Sequence, residues 1–315
     1  MPVWGFLLSF FIAFLWAISP VLMKEGLKSC SPSEVPAIRS AAFVVGMSII
    51  MLYAQPGRMP YLTPKLLMYA FASVGLSTFL GDLLYTQSIN LIGASLAVSV
   101  SSAYPLVVTC FSILILGERI TSLVWAGTIL VIAGLAVIEI EASRAVRMKQ
   151  APNYGLVDIA ERSKARRNLA KGVSLALFAA LCWGINMPLI KLTMDAGGWT
   201  PIENYFVRSV TFFILAWGMR WIQQRKFPNT IRPIEKISFK SLMALILSAL
   251  LALVLGGILY GSCIANLPVS VVTPITASSP FITAILSRIA FKERMSLIQS
   301  AGASLVVVGS IAVSL

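Results

Sequence analysis

Long apolar stretches alternate with short polar ones along the whole chain. Ten of these stretches reach about 18 or more residues, the length that an α-helix needs to cross the hydrocarbon core of a bilayer. We therefore predict an all-α polytopic membrane protein with transmembrane helices 1 to 10 at about 3–23, 34–54, 66–89, 93–116, 121–139, 172–194, 202–221, 241–265, 269–290 and 296–314.

The composition agrees with this pattern. Of the 315 residues, 58% are apolar and 12% are charged, and the mean hydropathy is +0.87. Soluble domains carry about a quarter charged residues, so a large soluble domain is excluded. The first apolar run lacks a basic n-region and a small-residue cleavage site, and we expect it to be a retained helix.

The two halves of the chain resemble each other. FLWAISPVLMK (14–24) aligns with LCWGINMPLIK (181–191), and SPSEVPAIRS (31–40) aligns with TPIENYFVRS (200–209). Further along, a spacing of 175 residues relates Gly81 to Gly256, Tyr85 to Tyr260, Pro105 to Pro280, Glu118-Arg119 to Glu293-Arg294, Gly127 to Gly302 and Gly134 to Gly309. We predict a first five-helix repeat at 1–139, a basic linker at 140–171 and a second five-helix repeat at 172–315.

An odd number of helices in each repeat has a geometric consequence. The second repeat must enter the membrane from the opposite side, so the two repeats have inverted topology. This arrangement is typical of secondary transporters, in which a site near the midplane is exposed alternately to each face. The alternative is a duplicated scaffold without transport.

The positive charge is unevenly distributed between the two sides. The formal net charge is +13, from 25 Lys+Arg against 12 Asp+Glu, and 20 of the 25 basic residues fall on the side of the 5–6 and 7–8 connections. We expect these connections in the cytoplasm and both termini outside, with the basic residues near lipid headgroups. Binding of nucleic acid is not expected.

Two segments carry a family resemblance. They are YPLVVTCFSILILGERITSLVWAGTILVIAG (104–134) and SPFITAILSRIAFKERMSLIQSAGASLVVVG (279–309). Both resemble the drug/metabolite transporter superfamily, specifically its ten-helix EamA-type permeases. The resemblance implies a carrier that moves small metabolites, often amino acids or amphipathic compounds, outward through a central cavity between the halves.

The chain departs from that family in two respects. Family members are usually drawn with both termini in the cytoplasm, whereas the charge bias here predicts the reverse. The small four-helix relatives carry a coupling glutamate in helix 1, where this chain has Trp16, Ser19 and Pro20. The proton-coupled mechanism of those relatives is therefore not inferred from helix 1 of this chain, although protons remain candidate coupling ions.

Asp82 is the one acid that lies well inside a predicted span. It is about eight residues, or roughly 12 Å, from the end of helix 3, where a carboxylate facing lipid is costly. The 3-4-3 spacing of Gly75, Thr78, Asp82 and Tyr85 predicts one polar stripe. Asp82 either binds a cationic substrate group or a proton, or it is hydrogen-bonded for packing. Its repeat equivalent is Gly257.

Other polar and aromatic residues accompany prolines in helices 1, 4, 6 and 9. A proline frees a backbone carbonyl that a substrate or a hydroxyl can use, whereas the alternatives are helix packing and, for tryptophan, the interfacial belt. The predicted substrate-binding residues are Trp16, Ser19, Thr78, Asp82, Tyr85, Ser101, Ser102, Tyr104, Trp183, Asn186, Tyr260, Thr276 and Ser279.

Charged residues near helix ends have structural interpretations as well. For Lys24, Lys191, Arg39 and Arg208 we expect snorkelling to headgroups, with Glu34 and Glu203 as candidate partners; a charged gate is the alternative. Glu118-Arg119 and Glu293-Arg294 are expected to form an ion pair or a cap.

The remaining composition limits the chemistry. The chain has no histidine and four scattered cysteines, so we expect no catalytic residues, metal or other cofactor. The predicted function is transport of a small organic metabolite, amino-acid-like or cationic/amphipathic, as an exporter of the cell membrane, acting as a monomer or homodimer. Export or flipping of a drug-like or lipid-linked amphipath is the alternative, and a non-transporting sensor is a further one.

Overall fold

The computed structural model describes residues 1–30, 34–92, 100–101, 103–150, 159–226, 237–279, 281–282 and 297–315. These residues contain helices and no strand. The α-helices are α1 (Val3–Gly26), α2 (Val35–Ala54), α3 (Pro64–Val74), α4 (Asp82–Ile92), α5 (Tyr104–Leu116), α6 (Ser122–Gln150), α7 (Ile159–Gly197), α8 (Pro201–Lys226), α9 (Phe239–Ala249), α10 (Gly256–Asn266), α11 (Val269–Thr276) and α12 (Leu297–Ser314). Two π-helices join consecutive α-helices: π1 (Gly75–Gly81) and π2 (Leu250–Leu255).

Five described helical stretches are long and apolar enough to cross a membrane. They are Val3–Met23, Val35–Ala54, Pro64–Tyr85, Arg167–Gly197 and Phe239–Asn266. These correspond to predicted helices 1, 2, 3, 6 and 8. Shorter apolar helices at Tyr104–Leu116, Ser122–Ile138 and Ser304–Ser314 fall within predicted helices 4, 5 and 10.

Predicted helices 7 and 9 differ from these. α8 covers the predicted span 202–221 and carries two buried arginines, Arg208 and Arg220. The predicted span 269–290 begins as α11, and most of its second half lies outside the described residues. The number of ten spans therefore stays a prediction.

The chain divides into two compact units. Unit 1 contains Met1–Gly75 and Leu189–Pro268 with a short segment from Ile282, and unit 2 contains Leu76–Pro188, Val269–Phe281 and Arg288–Leu315. Each unit thus takes helices from both sequence repeats. Two of the points where the chain passes between units lie within continuous helical stretches, one at the start of π1 and one at Pro188 in α7.

Within unit 1, α2 and α8 pack against each other in antiparallel directions. Near one end, the indole Nε1 of Trp217 donates to the carbonyl oxygen of Ala37 at 3.2 Å. Near the other end, Gln55 Nε2 donates to Thr200 Oγ1 at 3.0 Å. The two helices occupy equivalent positions in the two repeats.

The start of α8 is fixed by a capping box. The backbone N–H of Glu203 donates to Thr200 Oγ1 at 3.2 Å, and Thr200 N–H donates to Glu203 Oε2 at 2.7 Å. Arg58 donates to the other oxygen of Glu203 at 2.9 Å. The cation paired with Glu203 in this contact is therefore Arg58 from the segment after α2.

Within unit 2, α6 and α12 are also antiparallel equivalents, and they approach at two pairs of glycines. A Cβ on Gly127 would lie 2.6 Å from the carbonyl oxygen of Gly309, and one on Gly134 would lie 2.5 Å from that of Gly302. These four positions can therefore hold only glycine without moving the helices apart.

Candidate functional site

Asp82 lies at the point where π1 ends and α4 begins. The 3-4-3 spacing around Asp82 assumed a continuous α-helix, but Gly75–Gly81 is π-helical, with a wider turn. Thr78 lies in this segment half-buried, 3.3 Å from the hydroxyl of Ser77. The predicted polar stripe therefore begins in a π-helix and ends in an α-helix, and the change falls immediately before Asp82.

The carboxylate of Asp82 accepts a hydrogen bond from Trp183. The distance from Trp183 Nε1 to Asp82 Oδ1 is 3.0 Å, and the side chain of Asp82 remains exposed. A Cβ added to Gly81 would lie 2.8 Å from Trp183 Nε1, so the indole rests directly on the helix backbone. The sequence alone did not predict this link between helices 3 and 6.

Two tyrosine rings surround the same indole. The ring centroid of Tyr85 is 5.1 Å from that of Trp183, and the centroid of Tyr104 is 6.4 Å away. Both pairs meet edge to face. Asp82, Tyr85, Tyr104 and Trp183 all belong to unit 2, and we refer to them as the Asp82 cluster.

Several other predicted residues lie in unit 2 without a described role in this cluster. Asn186 and Ser101 are buried, and Ser279 is half-buried. Thr276 donates to the carbonyl oxygen of Thr273 in its own helix at 3.0 Å, which favours the packing interpretation for that residue. Ser102 lies outside the described residues.

Unit 1 repeats the contact between an indole and a π-helix. Trp16 Nε1 donates to the carbonyl oxygen of Ala252 in π2 at 3.2 Å, and the ring of Tyr260 lies 5.4 Å from that of Trp16. A Cβ on Gly256 would lie 2.8 Å from Trp16 Nε1. The predicted neighbour Ser19 accepts a hydrogen bond from Arg39 Nη2 at 3.3 Å.

The two arrangements differ at the position of the acid. Gly257, the equivalent of Asp82, faces the ring of Tyr205, and a Cβ there would lie 2.4 Å from Tyr205 Cε1. No side chain fits at position 257 while Tyr205 keeps its place. The structure thus gives a steric reason for the absence of an acid in the second repeat.

Arg208 is the main polar residue whose position differs from the sequence prediction. It is 9% exposed, donates to Ser73 Oγ and lies 5.7 Å from the ring centroid of Tyr205. Snorkelling to headgroups is therefore wrong for Arg208, because its head group is enclosed by neighbouring helices. The signal that could have indicated this is its place seven residues into a predicted span.

Other charged residues near helix ends have structural contacts. Lys191 Nζ donates to the carbonyl oxygen of Leu267 at 3.3 Å. Glu118 accepts from the backbone N–H groups of Val269 and Ser270 at 2.7 and 3.1 Å. The cap interpretation is confirmed for Glu118, which holds the N-terminus of α11 in the other repeat. The side chain of Lys24 and the Glu293-Arg294 turn lie outside the described part of the chain.

Metal binding has no visible basis in the described part of the chain. No group of three or more His, Cys, Asp or Glu residues lies close enough there to hold an ion. The cysteines Cys30, Cys110, Cys182 and Cys263 are free thiols.

Comparison with known families decides the class of protein. The EamA-like transporter family matches this chain twice, at residues 3–140 and 170–315. The chain belongs to the EamA-like transporter family. Its resemblance to EamA-type permeases is confirmed, and the family's domain is matched once in each half of the chain.

Curated relatives carry the same general description. Two proteins of Helicobacter pylori, from strains 26695 and J99, are each named "Uncharacterized transporter" and are each 28% identical over 149 residues. The match covers 47% of this chain and 47% of each relative, so about half the length of these relatives is matched. A solved crystal structure of another protein has the same fold, with a TM-score of 0.73, 16% identity and coverage of 99% of this chain and 98% of that chain.

Proposed function

We propose that this EamA-like transporter exports a small organic metabolite with a cationic group, amino-acid-like or amphipathic, by alternating access. The observation that carries the proposal is the hydrogen bond from Trp183 to Asp82. This hydrogen bond holds a carboxylate within a predicted span, next to the ring of Trp183 and the two tyrosine rings that contact it.

The chemistry of the Asp82 cluster favours a cation. An ionised carboxylate attracts an ammonium group, and the faces of indole and phenol rings attract it further. Trp183 donates to Oδ1 through its N–H, and Asp82 is an exposed residue of the folded chain. Tyr85 and Tyr104 supply hydroxyl groups with which a bound solute could be oriented.

Two antiparallel helix pairs support inverted repeats. α2 and α8 are equivalent in sequence and run in opposite directions within unit 1, and α6 and α12 do so within unit 2. Equivalent helices that cross one bilayer in opposite directions belong to repeats of opposite orientation. Ten spans follow from five in each repeat.

Breaks in the helices that connect the units support a conformational cycle. The boundary in α7 coincides with Pro188, which lacks a backbone donor, and the boundary after α3 coincides with the start of π1. Such positions absorb the changes in backbone angles that domain motion requires. Trp183 lies within two turns of Pro188.

The direction and orientation belong to the same proposal. Export follows from the family resemblance, and the charge bias favours the 5–6 linker in the cytoplasm of a cell membrane. Protons are the proposed coupling ion because Asp82 can release and bind one as the solute moves. The alternative is export or flipping of a drug-like or lipid-linked amphipath, which the aromatic rings near Asp82 would also suit.

The test begins with ligand stabilisation of the detergent-purified protein. Amino acids, organic cations, sugar phosphates and amphipathic drugs are added at pH 5.5 and 7.5, and thermal unfolding is followed. We expect one cationic or zwitterionic class to raise Tm. The same compound should then show counterflow in proteoliposomes.

Asp82→Asn is the decisive variant, and Asp195→Asn is its matched control. Asp195 is an exposed acid near the end of α7. Asp82→Asn should abolish stabilisation and counterflow, and Asp195→Asn should change neither. Unchanged transport, pH dependence and substrate preference in Asp82→Asn would contradict the assigned role, and stabilisation by amphipaths alone would favour the alternative.

A further inference from the structure

An apolar groove runs along the outside of unit 1, separate from the Asp82 cluster. Its volume is about 440 Å³. One wall is a single stripe of α2, a second wall comes from α9 and the start of π2, and Trp217 of α8 closes one end. The lining residues are Ile38, Ala41, Ala42, Val45, Gly46, Ile49, Trp217, Leu242, Ile246 and Leu250.

Small residues on α2 create the groove. Ala41 and Ala42 present only methyl groups to the groove, and Gly46 lets π2 approach α2, because an added Cβ would lie 3.0 Å from both Leu250 and Val254. Val45 is 57% exposed and Ile49 is 51% exposed, so the groove is open on the surface of the helix bundle. In a membrane protein that surface faces lipid.

The size of the groove fits one acyl chain. From Ile38 to Ile49 it extends roughly 16 Å, which is about half of a 30 Å hydrocarbon core and therefore the depth of one leaflet.

The end of the groove at Trp217 is basic. Arg225 lies 3.9 Å above the ring of Trp221, which is 54% exposed and one turn beyond Trp217 on α8. Lys240, two positions before the lining residue Leu242, is 80% exposed and is paired with Glu25 at 3.2 Å. An exposed indole beside a guanidinium is typical of the headgroup layer.

We propose that this groove binds one acyl chain of an anionic phospholipid, with its phosphate near Arg225. The charge at the headgroup end selects an anionic lipid over a neutral one. The lining residues that the structure describes are apolar apart from the indole N–H of Trp217, which donates to Ala37, and this suits a hydrocarbon chain. The same end of the groove faces the side that the charge bias predicts to be cytoplasmic.

The test uses delipidated full-length protein in detergent. Phosphatidylglycerol and phosphatidylcholine are added separately, and retained lipid is counted by native mass spectrometry. Phosphatidylglycerol should be retained and should raise Tm by roughly 2–6 °C, the size expected for a saturating ligand. Equal retention of phosphatidylcholine would overturn the proposal, as would retention of neither lipid.

Two variants locate the lipid, and each has a matched control. Ala42→Phe fills the groove, whereas Leu52→Phe adds bulk to an α2 residue that is 71% exposed and lies outside the groove. Arg225→Gln removes charge at the headgroup end, whereas Lys65→Gln removes an exposed charge near the start of α3. Only Ala42→Phe and Arg225→Gln should lose retained phosphatidylglycerol.

The oligomeric state separates lipid from a second copy of the chain. Light scattering should give the same mass for wild-type protein and for Ala42→Phe. A smaller mass for Ala42→Phe would overturn the proposal, because the groove would then be an interface between copies. Retention of phosphatidylglycerol by both Ala42→Phe and Arg225→Gln at the wild-type level would also overturn it.

Discussion

The ring of Tyr205 occupies the space next to Gly257 that a side chain would need, because a Cβ at Gly257 would lie 2.4 Å from Tyr205 Cε1. Gly257 is the repeat equivalent of Asp82, an exposed residue whose carboxylate accepts a hydrogen bond from Trp183. The two repeats thus use one position in opposite ways. In unit 1 the glycine lets Tyr205 pack against the helix backbone, and in unit 2 the same position carries the carboxylate side chain of Asp82.

Gly257→Ala should lower the stability of the protein by about 1–3 kcal/mol, because its methyl group overlaps the ring of Tyr205. Thermal unfolding in detergent measures the change. Gly218→Ala is the control, since Gly218 lies in α8 with nothing within 4 Å of an added Cβ. That control should match or slightly exceed wild-type stability; a loss equal to that of Gly257→Ala would contradict the steric argument.

Trp183→Phe should weaken binding of a cationic ligand, because the ring contacts with Tyr85 and Tyr104 are kept while the N–H that orients Asp82 is lost. Hydrogen bonds to charged groups contribute about 1.5–3 kcal/mol, so we expect a fall in affinity of roughly tenfold or more. Isothermal titration with the compound found by thermal stabilisation measures it.

Trp16→Phe is the matched control for that variant. It removes an equivalent hydrogen bond, to the carbonyl oxygen of Ala252 in unit 1, without touching Asp82. Its affinity for the same compound should stay near that of wild type. An equal loss in both variants would mean that the indoles act on stability and not on the ligand.

Gly134→Leu should destabilise the protein strongly, because α6 and α12 meet there backbone to backbone. A Cβ on Gly134 would be 2.5 Å from the carbonyl oxygen of Gly302. We expect a cost of about 3 kcal/mol or more, seen as a lower Tm and reduced yield of folded protein. Ala133→Leu is the control on the exposed face of the same helix, and its Tm should stay close to wild type.

Stability in acid should depend on Glu25, just beyond the first span. Hydrogen bonds from Lys28 and then Lys240 hold the pKa of Glu25 below its usual value of 4.5. A lowered pKa in the folded state stabilises the fold above pH 4.5, and this stabilisation is lost as pH falls through the folded-state value. Because Lys28 and Lys240 are exposed and solvent screens both ion pairs, the effect is small.

The variant that tests this pH dependence is Lys28→Gln with Lys240→Gln. Its Tm should fall less than that of wild type between pH 5 and pH 3, when Tm is measured at pH values about one unit apart. Lys65→Gln changes an exposed charge elsewhere and should follow the wild-type profile. Identical acid profiles for the double variant and wild type would contradict the assigned role of the two lysines.

The sequence predicts which positions of the two repeats are equivalent, because identical residues recur at fixed spacing. Trp16 and Trp183 are such a pair, and each rests on a glycine at the junction between a π-helix and the following α-helix. The glycines of helices 5 and 10 were aligned as well, and the structure explains them as two backbone contacts. Such pairs can be found in the sequence because the same close contact restricts the residue type at both positions.

Other features could not be predicted from the pattern. A π-helix and an α-helix share the same apolar composition, so nothing in Gly75–Gly81 distinguishes them. The burial of Arg208 depends on Ser73, which is 135 residues away in the sequence, and on Tyr205, which lies one helical turn before it. Each unit also combines helices from both repeats, and this depends on contacts between residues that are far apart in the sequence.

That combination of helices has a consequence for how the protein is made. Trp16 finds its carbonyl acceptor in the second repeat, and Glu118 caps a helix of the second repeat, so a single repeat would leave both groups without these contacts. Neither repeat alone contains a complete unit. The two halves therefore depend on each other as subunits of an obligate complex do, and we expect that one half made without the other assembles neither unit.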